Sequence, residues 1–279
     1  FFSNDDEVKH FLEKRSIENS KKHQQPATLN VKSNLDKLTL NNMQVFRFNF
    51  RHEKNQKILY LHGGYNTLQP SPFHWRLLDK LTLNTLHEVV LPIYPKSPDY
   101  HYLETFKAIR DVYNQLVEEV GASNIVMMGD GSGGGLALSF VQSLINDNQE
   151  VPRKLFLLSP LLDATLTNPN ITKTLEENDI LVSRFGVHQL MKSWTNDLPL
   201  SDARISPLYG TLKGLPPIYM YGGGREILSP DMHAFTHALE ECGNDVEFKE
   251  YPKMVHDFPI YPIRQSHKVL KHITKSILE

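Results

Sequence analysis

Short apolar runs alternate with longer amphipathic stretches along most of this chain of 279 residues. The apolar runs predict strands at 28–33, 43–50, 57–61, 87–92, 124–129, 154–159, 217–222 and 245–251. Between most of them, apolar residues at helical spacing predict helices at 74–84, 103–120, 136–147 and 231–242. Strands that alternate with helices indicate βαβ units. The pattern therefore predicts an α/β protein with a mostly parallel eight-stranded sheet and helices on both faces.

Two segments stand outside this alternation. Residues 5–24 are charged and carry a loose apolar stripe that is compatible with a helix, and Pro26 ends the segment. Residues 164–210 hold a helix-compatible stretch at 183–196 and no strand. Because neither segment is needed to connect strands, we expect the two to pack together outside the layers of the sheet.

The start of the sheet is predicted to be antiparallel. Residues 43–50 and 58–61 are strand-like and are joined by the polar residues 51–57, a pattern typical of two paired strands. The sequence contains no internal repeat, low-complexity tract or linker. One domain over residues 1–279 is therefore the simplest organisation.

The composition narrows the class of protein only slightly. Hydrophobic residues make up 40% of the chain and charged residues 22%, as in ordinary globular proteins. With 30 basic and 32 acidic residues, the net charge of -2 gives no support for nucleic-acid binding. No apolar run is long enough to cross a bilayer, and Cys242 alone cannot form an intrachain disulfide. The chain begins with Phe1, so a cytoplasmic protein and one that has lost a signal peptide or N-terminal anchor both stay open.

The glycine-rich segment 129–135 carries the most specific chemistry in the chain. It reads Gly-Asp-Gly-Ser-Gly-Gly-Gly and lies where a predicted strand leads into a predicted helix. A serine nucleophile on such a turn is written G-x-S-x-G. Gly129 and Gly133 occupy the two glycine positions of this motif, but the serine position between them holds Gly131. The serine of the segment, Ser132, follows that position by one residue. The segment therefore predicts an acyl-transfer site whose nucleophile position holds Gly131.

Three further motifs lie at or just beyond the ends of predicted strands. His62-Gly63-Gly64 follows an early strand, Glu226 follows a late strand and a glycine-rich turn, and His256 follows the last strand. Together with the glycine-rich segment, their order along the chain is oxyanion loop, nucleophile turn, acid and base. This is the order found in α/β-type serine hydrolases.

The motifs together resemble the hormone-sensitive-lipase-like branch of the α/β-hydrolase fold, the fold-3 carboxylesterases. That family writes H-G-G-G or H-G-G-A, then G-D-S-A-G-G-N-L-A, S-P-L…L-P-P, D-x-L and H-x-F. This chain reads, in the same order, His62-Gly63-Gly64-Tyr65, Gly129-Asp130-Gly131-Ser132-Gly133-Gly134-Gly135-Leu136-Ala137, Ser206-Pro207-Leu208, Leu215-Pro216-Pro217, Glu226-Ile227-Leu228 and His256-Asp257-Phe258. The resemblance implies an α/β-hydrolase fold with a small helical cap, formed by about 1–27 and 164–205, over the cleft beside Gly131.

Three positions depart from the family pattern. The nucleophile position holds Gly131, the acid position holds Glu226 in place of Asp, and the third position of the oxyanion loop holds Tyr65 in place of a small residue. Glutamate is an accepted acid in such triads, so the second departure changes little. The other two touch the reaction centre, so the expected esterase activity is weak or absent.

The resemblance also implies a role for each remaining site residue. His256 is the candidate general base, because imidazole can take and return a proton near neutral pH. Glu226 would orient it, and the backbone N–H groups of Gly63, Gly64 and Ser132 would form the oxyanion hole. These donors need no particular side chain, so they survive the loss of a serine. The expected ligand is a small ester or acyl compound, with no cofactor, no metal and no nucleic acid; the oligomeric state stays open.

Ser132 is open to two interpretations. It is either a displaced nucleophile, acting with Glu226 and His256, or the first residue of a helix that contributes only its N–H. Moving one residue along a helix turns the side chain by about a third of a turn, which favours the second interpretation. The alternative to a weak esterase is an inactive hydrolase fold that binds a ligand or a partner. A glycine introduced into an active esterase would leave the same motif.

Other residues near these motifs have competing interpretations. Gly129, Gly131 and Gly134 also satisfy the dinucleotide-binding pattern G-x-G-x-x-G, which requires an acid at the end of the next strand. Glu150 instead precedes that strand, which disfavours a dinucleotide site. His62 is expected to fix its loop rather than transfer protons, and Ser159 is expected to lie in a turn. A last group of residues consists of aromatics that belong either to the core or to an acyl pocket: Trp75, Trp194 and Tyr209.

Overall fold

Residue 2, residues 4–49 and residues 56–279 are described by the computed structural model. Their strands are β1 (Asn34–Leu40), β2 (Met43–Asn49), β3 (Lys57–Leu61), β4 (Glu88–Pro92), β5 (Ile125–Asp130), β6 (Lys154–Leu158), β7 (Ile218–Gly223) and β8 (Val246–Tyr251). They form one eight-stranded sheet in the order β1-β2-β4-β3-β5-β6-β7-β8. β2 runs antiparallel to both of its neighbours, and the other pairs are parallel. The predicted mostly parallel sheet is confirmed.

Helices cover both faces of this sheet, also as predicted. The α-helices are α1 (Asp5–Asn19), α2 (Pro72–Thr85), α3 (Tyr102–Val120), α4 (Gly131–Asn146), α5 (Lys173–Asn178), α6 (Arg184–Thr195), α7 (Ser229–Glu241) and α8 (Arg264–Leu278). Helices α2 and α8 pack on one face, and α3, α4 and α7 pack on the other. None of the helices within the described ranges has the length and apolar content that a membrane span needs.

Alternating side chains of the central strands separate two buried cores. Leu59 and Leu61 of β3 belong to the core on the side of α3 and α4, whereas Ile58 and Tyr60 belong to the core on the side of α2 and α8. All four side chains are fully buried. A parallel strand that is buried on both faces has a nearly continuous apolar sequence. This is why the hydrophobic pattern located the central strands well.

Two predictions for the start of the sheet are wrong. The segment 28–33 forms no strand, and the first strand is β1, whose side chains are largely exposed at the edge of the sheet. β2 does not pair with β3 but lies between β1 and β4. An edge strand needs few apolar residues, so β1 gave little signal in the sequence. The predicted end of the second strand and most of its connection fall in residues 50–55, which lie outside the described residues.

Helix α8 was not predicted. It carries Val269, Leu270, Ile273 and Ile277 on the side that packs in the core beneath α2. This spacing is typical of an amphipathic helix. The signal was therefore present, but the polar residues between these positions obscured it.

The two segments outside the alternation lie against each other. Helix α1 packs on α6, and Gln189 Nε2 donates a hydrogen bond of 3.1 Å to Asp5 Oδ1. Helix α1 ends at Asn19, earlier than the predicted residue 24. Of the two segments of the predicted cap, the one that contains α6 contributes residues to the wall of the active-site cleft. None of the described residues of α1 lines that cleft.

Candidate active site

The turn between β5 and α4 places Gly131 at the carboxyl edge of the sheet. The strand ends at Asp130 and the helix begins at Gly131, with no loop between them. Gly131 has a φ of +49°, in the left-handed region that other residues rarely adopt. The backbone of Leu61 and His62 approaches so closely that Gly133 has no room for a Cβ. The sharp strand-to-helix turn expected of a nucleophile elbow is present, with Gly131 at its apex.

Glu226 and His256 meet at the same edge of the sheet. Glu226 lies in the turn after β7, and His256 lies in the loop after β8. His256 Nδ1 is 2.7 Å from Glu226 Oε2. The other oxygen of Glu226 accepts hydrogen bonds from Gly223 N at 2.5 Å and from Ser159 Oγ at 2.9 Å. The buried carboxylate is therefore fixed, and it holds one ring nitrogen of His256.

A second carboxylate, Asp257, contacts the other ring nitrogen. Asp257 Oδ2 lies 3.1 Å from His256 Nε2. A Cβ added at Gly131 would lie 3.1 Å from Asp257 Oδ2 and 3.4 Å from His256 Nε2. Asp257 reaches this place because its own φ is +52°, and its N–H donates to Ser159 Oγ at 3.1 Å. The Asp257 carboxylate therefore lies beside His256 in the space that a side chain at position 131 would enter.

These two carboxylates alter the protonation of His256. Burial by itself would lower the pKa of His256, but Asp257 and Glu226 together raise it well above its ordinary value. Burial raises the pKa of Asp257 to about 6, although His256 acts in the opposite direction. At neutral pH we therefore infer an imidazolium held between two carboxylates. A protonated imidazole is an acid, and it must lose its proton before it can serve as a general base.

The backbone donors predicted for the oxyanion hole lie at the same cleft. Gly63, Gly64 and Ser132 line it together with His256. Ser132 stands in the first turn of α4, where N–H groups have no acceptor within the helix and the helix dipole favours negative charge. The backbone of Gly63 hydrogen-bonds with the Asp130 carboxylate, which leaves Gly64 and Ser132 as the freer donors.

The hydroxyl of Ser132 faces the oxyanion loop rather than the base. Its Oγ accepts a hydrogen bond of 3.2 Å from Asn66 N. Within the described part of the chain, no hydrogen bond joins it to His256, whose two ring nitrogens contact Glu226 and Asp257. The geometry therefore favours Ser132 as a helix-start residue over Ser132 as a displaced nucleophile.

A buried polar network around Asp130 stabilises the Gly131 turn. Asp130 accepts a hydrogen bond of 2.6 Å from the Tyr60 hydroxyl and lies 3.0 Å from His74 Nε2. Burial opposes charge on both groups, yet His74 lowers the pKa of Asp130, and Asp130 raises the pKa of His74. This ion pair ties the end of β5 to α2 and so fixes the position of the turn.

His62 has the contacts expected of a structural residue. Its Nδ1 lies 2.8 Å from Gly63 O, and its ring stacks on Tyr94 with centroids 4.7 Å apart. Burial lowers the pKa of His62 well below its ordinary value, so the ring is neutral. These contacts hold the loop of Gly63 and Gly64, and His62 is not among the residues that line the cleft.

The cleft in front of Gly131 has a volume of ≈ 310 Å³ and mostly apolar walls. This size suits a small ligand. Tyr65 lines the cleft and bridges two of its walls, because the Tyr65 hydroxyl donates a hydrogen bond of 3.3 Å to Leu181 O. The apolar walls come from the oxyanion loop with α2, from the segment before and within α6, and from the region after β8: Leu68, Phe73, Leu181, Val182, Val187, Ile260 and Tyr261.

The aromatic residues proposed for an acyl pocket lie elsewhere. Trp75 packs in the core of the α2 face, and Trp194 is buried and donates to Thr105 Oγ1 at 2.9 Å. Tyr209 is 51% exposed and donates to Asp163 Oδ2 at 2.8 Å. None of them lines the cleft, so the acyl-pocket interpretation is wrong and the two tryptophans belong to the core.

The dinucleotide interpretation also fails. Glu150 lies in the loop before β6 and not at the end of a strand. The glycine-rich turn instead faces His256 and Asp257, and no ribose-binding acid stands at the end of the next strand, which finishes at Leu158.

Two residues of the site were missed in the sequence. The sequence predicts only a turn at Ser159, yet its hydroxyl joins the loops of Glu226 and Asp257. Its place at the carboxyl end of a central strand, beside the nucleophile turn, is the signal that would have found it. The sequence assigns Asp257 only a place in the motif His256-Asp257-Phe258, and its contact with His256 Nε2 depends on a loop conformation that the sequence does not reveal.

Comparison with known proteins identifies the family of the chain. The family model described as the alpha/beta hydrolase fold matches residues 58–260. An esterase of Acinetobacter venetianus is 34% identical over 208 residues, which cover 74% of this chain and 68% of that protein. The chain therefore belongs to the α/β-hydrolase family.

Solved structures refine this assignment. A candidate esterase from Staphylococcus aureus is 63% identical, with a TM-score of 0.99, and the match covers 100% of this chain and 95% of that one. An esterase of the bacterial hormone-sensitive lipase family has a TM-score of 0.84 at 20% identity, over 99% of both chains, and shows the shared fold. The predicted α/β-hydrolase family is confirmed, and the relatives support a hydrolase of the esterase and lipase class.

Proposed function

We propose that this chain is a carboxylic-ester hydrolase for small acyl esters that works weakly because Gly131 occupies the nucleophile position. The observation that carries the proposal is the 2.7 Å hydrogen bond between Glu226 and His256, opposite the sharp turn at Gly131. A base held by a buried acid, next to backbone donors at a helix N-terminus, is the arrangement that acyl transfer needs. The missing part is the hydroxyl.

The size and walls of the cleft define the proposed substrate. A volume of ≈ 310 Å³ with apolar walls favours a short acyl or alkyl group over a long chain. Residues 164–205 would act as the cap over this cleft, because Leu181, Val182 and Val187 contribute to its walls, and α1 would support the cap through its contact with α6. The cap would exclude water from the acyl group and strengthen the contacts with the oxyanion donors.

The decisive test restores the hydroxyl. Gly131→Ser should raise the hydrolysis of p-nitrophenyl acetate by ~10³-fold or more, since losing a nucleophile in such sites costs several orders of magnitude. The variant should also react with a fluorophosphonate at position 131. Gly243→Ser is a matched control, because Gly243 also has a positive φ of +72° but does not line the cleft. A Cβ at Gly243 would have no neighbouring atom within 4 Å. A folded Gly131→Ser protein with no gain in rate and no labelling contradicts the proposal.

A second candidate function is ligand binding without turnover. The contact of Asp257 with His256 Nε2 favours it, because the base is already engaged by a carboxylate. Isothermal calorimetry with a non-hydrolysable ester analogue distinguishes the two functions. Tight binding by the unmodified chain, together with an inactive Gly131→Ser variant, would favour a binding protein.

A further inference from the structure

Asp257 is a polar residue of the cleft. It has no role in the mechanism in which a serine attacks the ester. One carboxylate oxygen, Oδ2, contacts His256 Nε2 at 3.1 Å. The other, Oδ1, is buried and has no hydrogen-bond partner among the residues that the structure describes. It lies 3.7 Å from the position that a Cβ on Gly131 would take. A buried carboxylate oxygen without a partner is costly. The Asp257 side chain also lines the cleft and is 13% exposed there, so its carboxylate can accept a hydrogen bond from a water beside the nucleophile position.

We propose that Asp257 is the general base of a direct ester hydrolysis in this chain, in which it activates the attacking water while His256 protonates the leaving alcohol. The inference rests on the proposed function, because it concerns the same cleft and the same small esters. It differs in mechanism, since the water attacks the ester itself and no acyl-enzyme forms.

The reaction balances with these two groups alone. Asp257 takes one proton from water as the water oxygen bonds to the carbonyl carbon, and the N–H groups of Gly64 and Ser132 hold the oxyanion. The intermediate then breaks its bond to the alkoxy oxygen, which takes the proton from His256 Nε2. The products are the carboxylic acid and the alcohol. The proton on Asp257 finally passes to His256 across their 3.1 Å contact, which restores the starting state.

The charged surroundings support opposite roles for the two groups. A base and an acid can work together at one pH when their environments separate their protonation states. Glu226 holds His256 Nδ1 at 2.7 Å and so favours the imidazolium, which is the acid. Asp257 stays ionised next to that imidazolium and so remains the base. Further titratable groups face the pair from β3, from the end of β5, from α2, from the oxyanion loop and from the region after β8: Tyr60, Asp130, His74, Tyr65 and Tyr261.

The first measurement compares rates of p-nitrophenyl acetate hydrolysis. Asp257→Asn keeps the shape of the side chain but removes the base, so the rate above buffer should fall by ~10²-fold or more. Asp231→Asn is the matched control, because Asp231 is also a buried carboxyl whose pKa burial raises to about 6, and it lies outside the cleft. The control should keep the rate of the unmodified chain.

The second measurement needs no variant of Asp257 and so decides the matter even if Asp257→Asn fails to fold. The unmodified chain should show no burst of p-nitrophenol and no acetylated protein by mass spectrometry. Its rate should follow a bell-shaped pH profile, rising as Asp257 ionises near its pKa of about 6 and falling as His256, with its raised pKa, loses its proton. Gly131→Ser should instead give a burst, and its rate should rise with pH, because its base is neutral His256.

The outcomes separate this inference from the proposed function. A burst with an acetyl group on Ser132, or an Asp257→Asn variant as fast as the unmodified chain, overturns the role of Asp257. An unmodified chain no faster than buffer also overturns it; if Gly131→Ser is active, the esterase site of the proposed function stands, but its weak activity in the unmodified chain does not. If Gly131→Ser is inactive as well, the proposed function itself fails.

Discussion

The proposed base side of the cleft, with Glu226 and His256, and the proposed nucleophile side, with Gly131 and Ser132, are built from different groups. On the base side, the contacts are between side chains: Glu226 Oε2 lies 2.7 Å from His256 Nδ1, and Ser159 Oγ donates a hydrogen bond of 2.9 Å to Glu226 Oε1. On the nucleophile side, the Gly131 turn and the first turn of α4 offer backbone N–H groups, while the Ser132 hydroxyl bonds to Asn66 N. Within the described residues, no bond of the base side depends on a hydroxyl at position 131. The two sides can therefore be lost or restored separately, and glycine at the turn leaves the contact between Glu226 and His256 in place.

The largest expected effect comes from breaking the base side after the nucleophile has been restored. In the Gly131→Ser background, Glu226→Gln should lower kcat by ~10⁴-fold, because an amide favours the wrong tautomer of His256. Hydrolysis of p-nitrophenyl acetate at neutral pH measures it. Glu250→Gln is the control, because Glu250 also pairs with a histidine, His233 at 3.0 Å, on the surface. If Glu226→Gln keeps most of the activity and Asp257→Asn abolishes it, then Asp257 is the orienting acid and the comparison of the two sides is wrong.

A smaller effect is expected from the network behind the nucleophile side. Asp130→Asn should lower the free energy of unfolding by ~3 kcal/mol, because it breaks a buried pair with His74 and leaves that histidine without its counter-charge. Urea unfolding measures it. Asp147→Asn is the control, since Asp147 pairs with Arg110 at the surface, where such pairs contribute ~1 kcal/mol or less.

The same network has a defined pH dependence. The pKa of Asp130 is lowered on folding, so its stabilisation is present above its unfolded pKa and is lost as the pH falls through the folded value. The pKa of His74 is raised, so its stabilisation is present below its unfolded pKa and is lost as the pH rises through the folded value. The loss caused by Asp130→Asn should therefore be greatest between about pH 4 and pH 6.5. A loss that does not change with pH would show that the pair is not charged.

The smallest expected effect concerns the mouth of the cleft. In the Gly131→Ser background, Tyr65→Gly should raise the rate further by ~10-fold or less, a change of about 1 kcal/mol in the barrier. The reason is that the ring narrows the approach to the oxyanion loop, and the φ of +57° at Tyr65 suits glycine. Tyr65→Phe removes only the bond to Leu181 O and should leave the rate nearly unchanged. A lower rate for Tyr65→Gly would mean that the ring holds substrate rather than crowding it.

The parts of the fold that could be predicted are those with strong local signals. β3 and β5 were located because a strand buried on both faces has an unbroken apolar sequence. β1 was misplaced because an exposed edge strand has no such requirement, and its pairing partner β2 could be identified only from the assembled sheet. The antiparallel pairing expected between β2 and β3 is wrong, because the neighbours of a strand depend on the assembly of the whole sheet and not on the length of the loop between two strands.

In the site, the sequence determined which residues are present and tertiary structure decided what they contact. The order of motifs placed Gly131, Glu226 and His256 at the ends of strands, and the carboxyl ends of parallel strands meet at one edge of a sheet. The contact between Asp257 and His256 Nε2 could not be predicted, because neighbouring residues in a loop point in directions set by the backbone. The φ of +52° at Asp257 and the bond from its N–H to Ser159, almost a hundred residues away in sequence, turn the carboxylate toward the base. Long-range hydrogen bonds of this kind form only when the sheet brings the loops together.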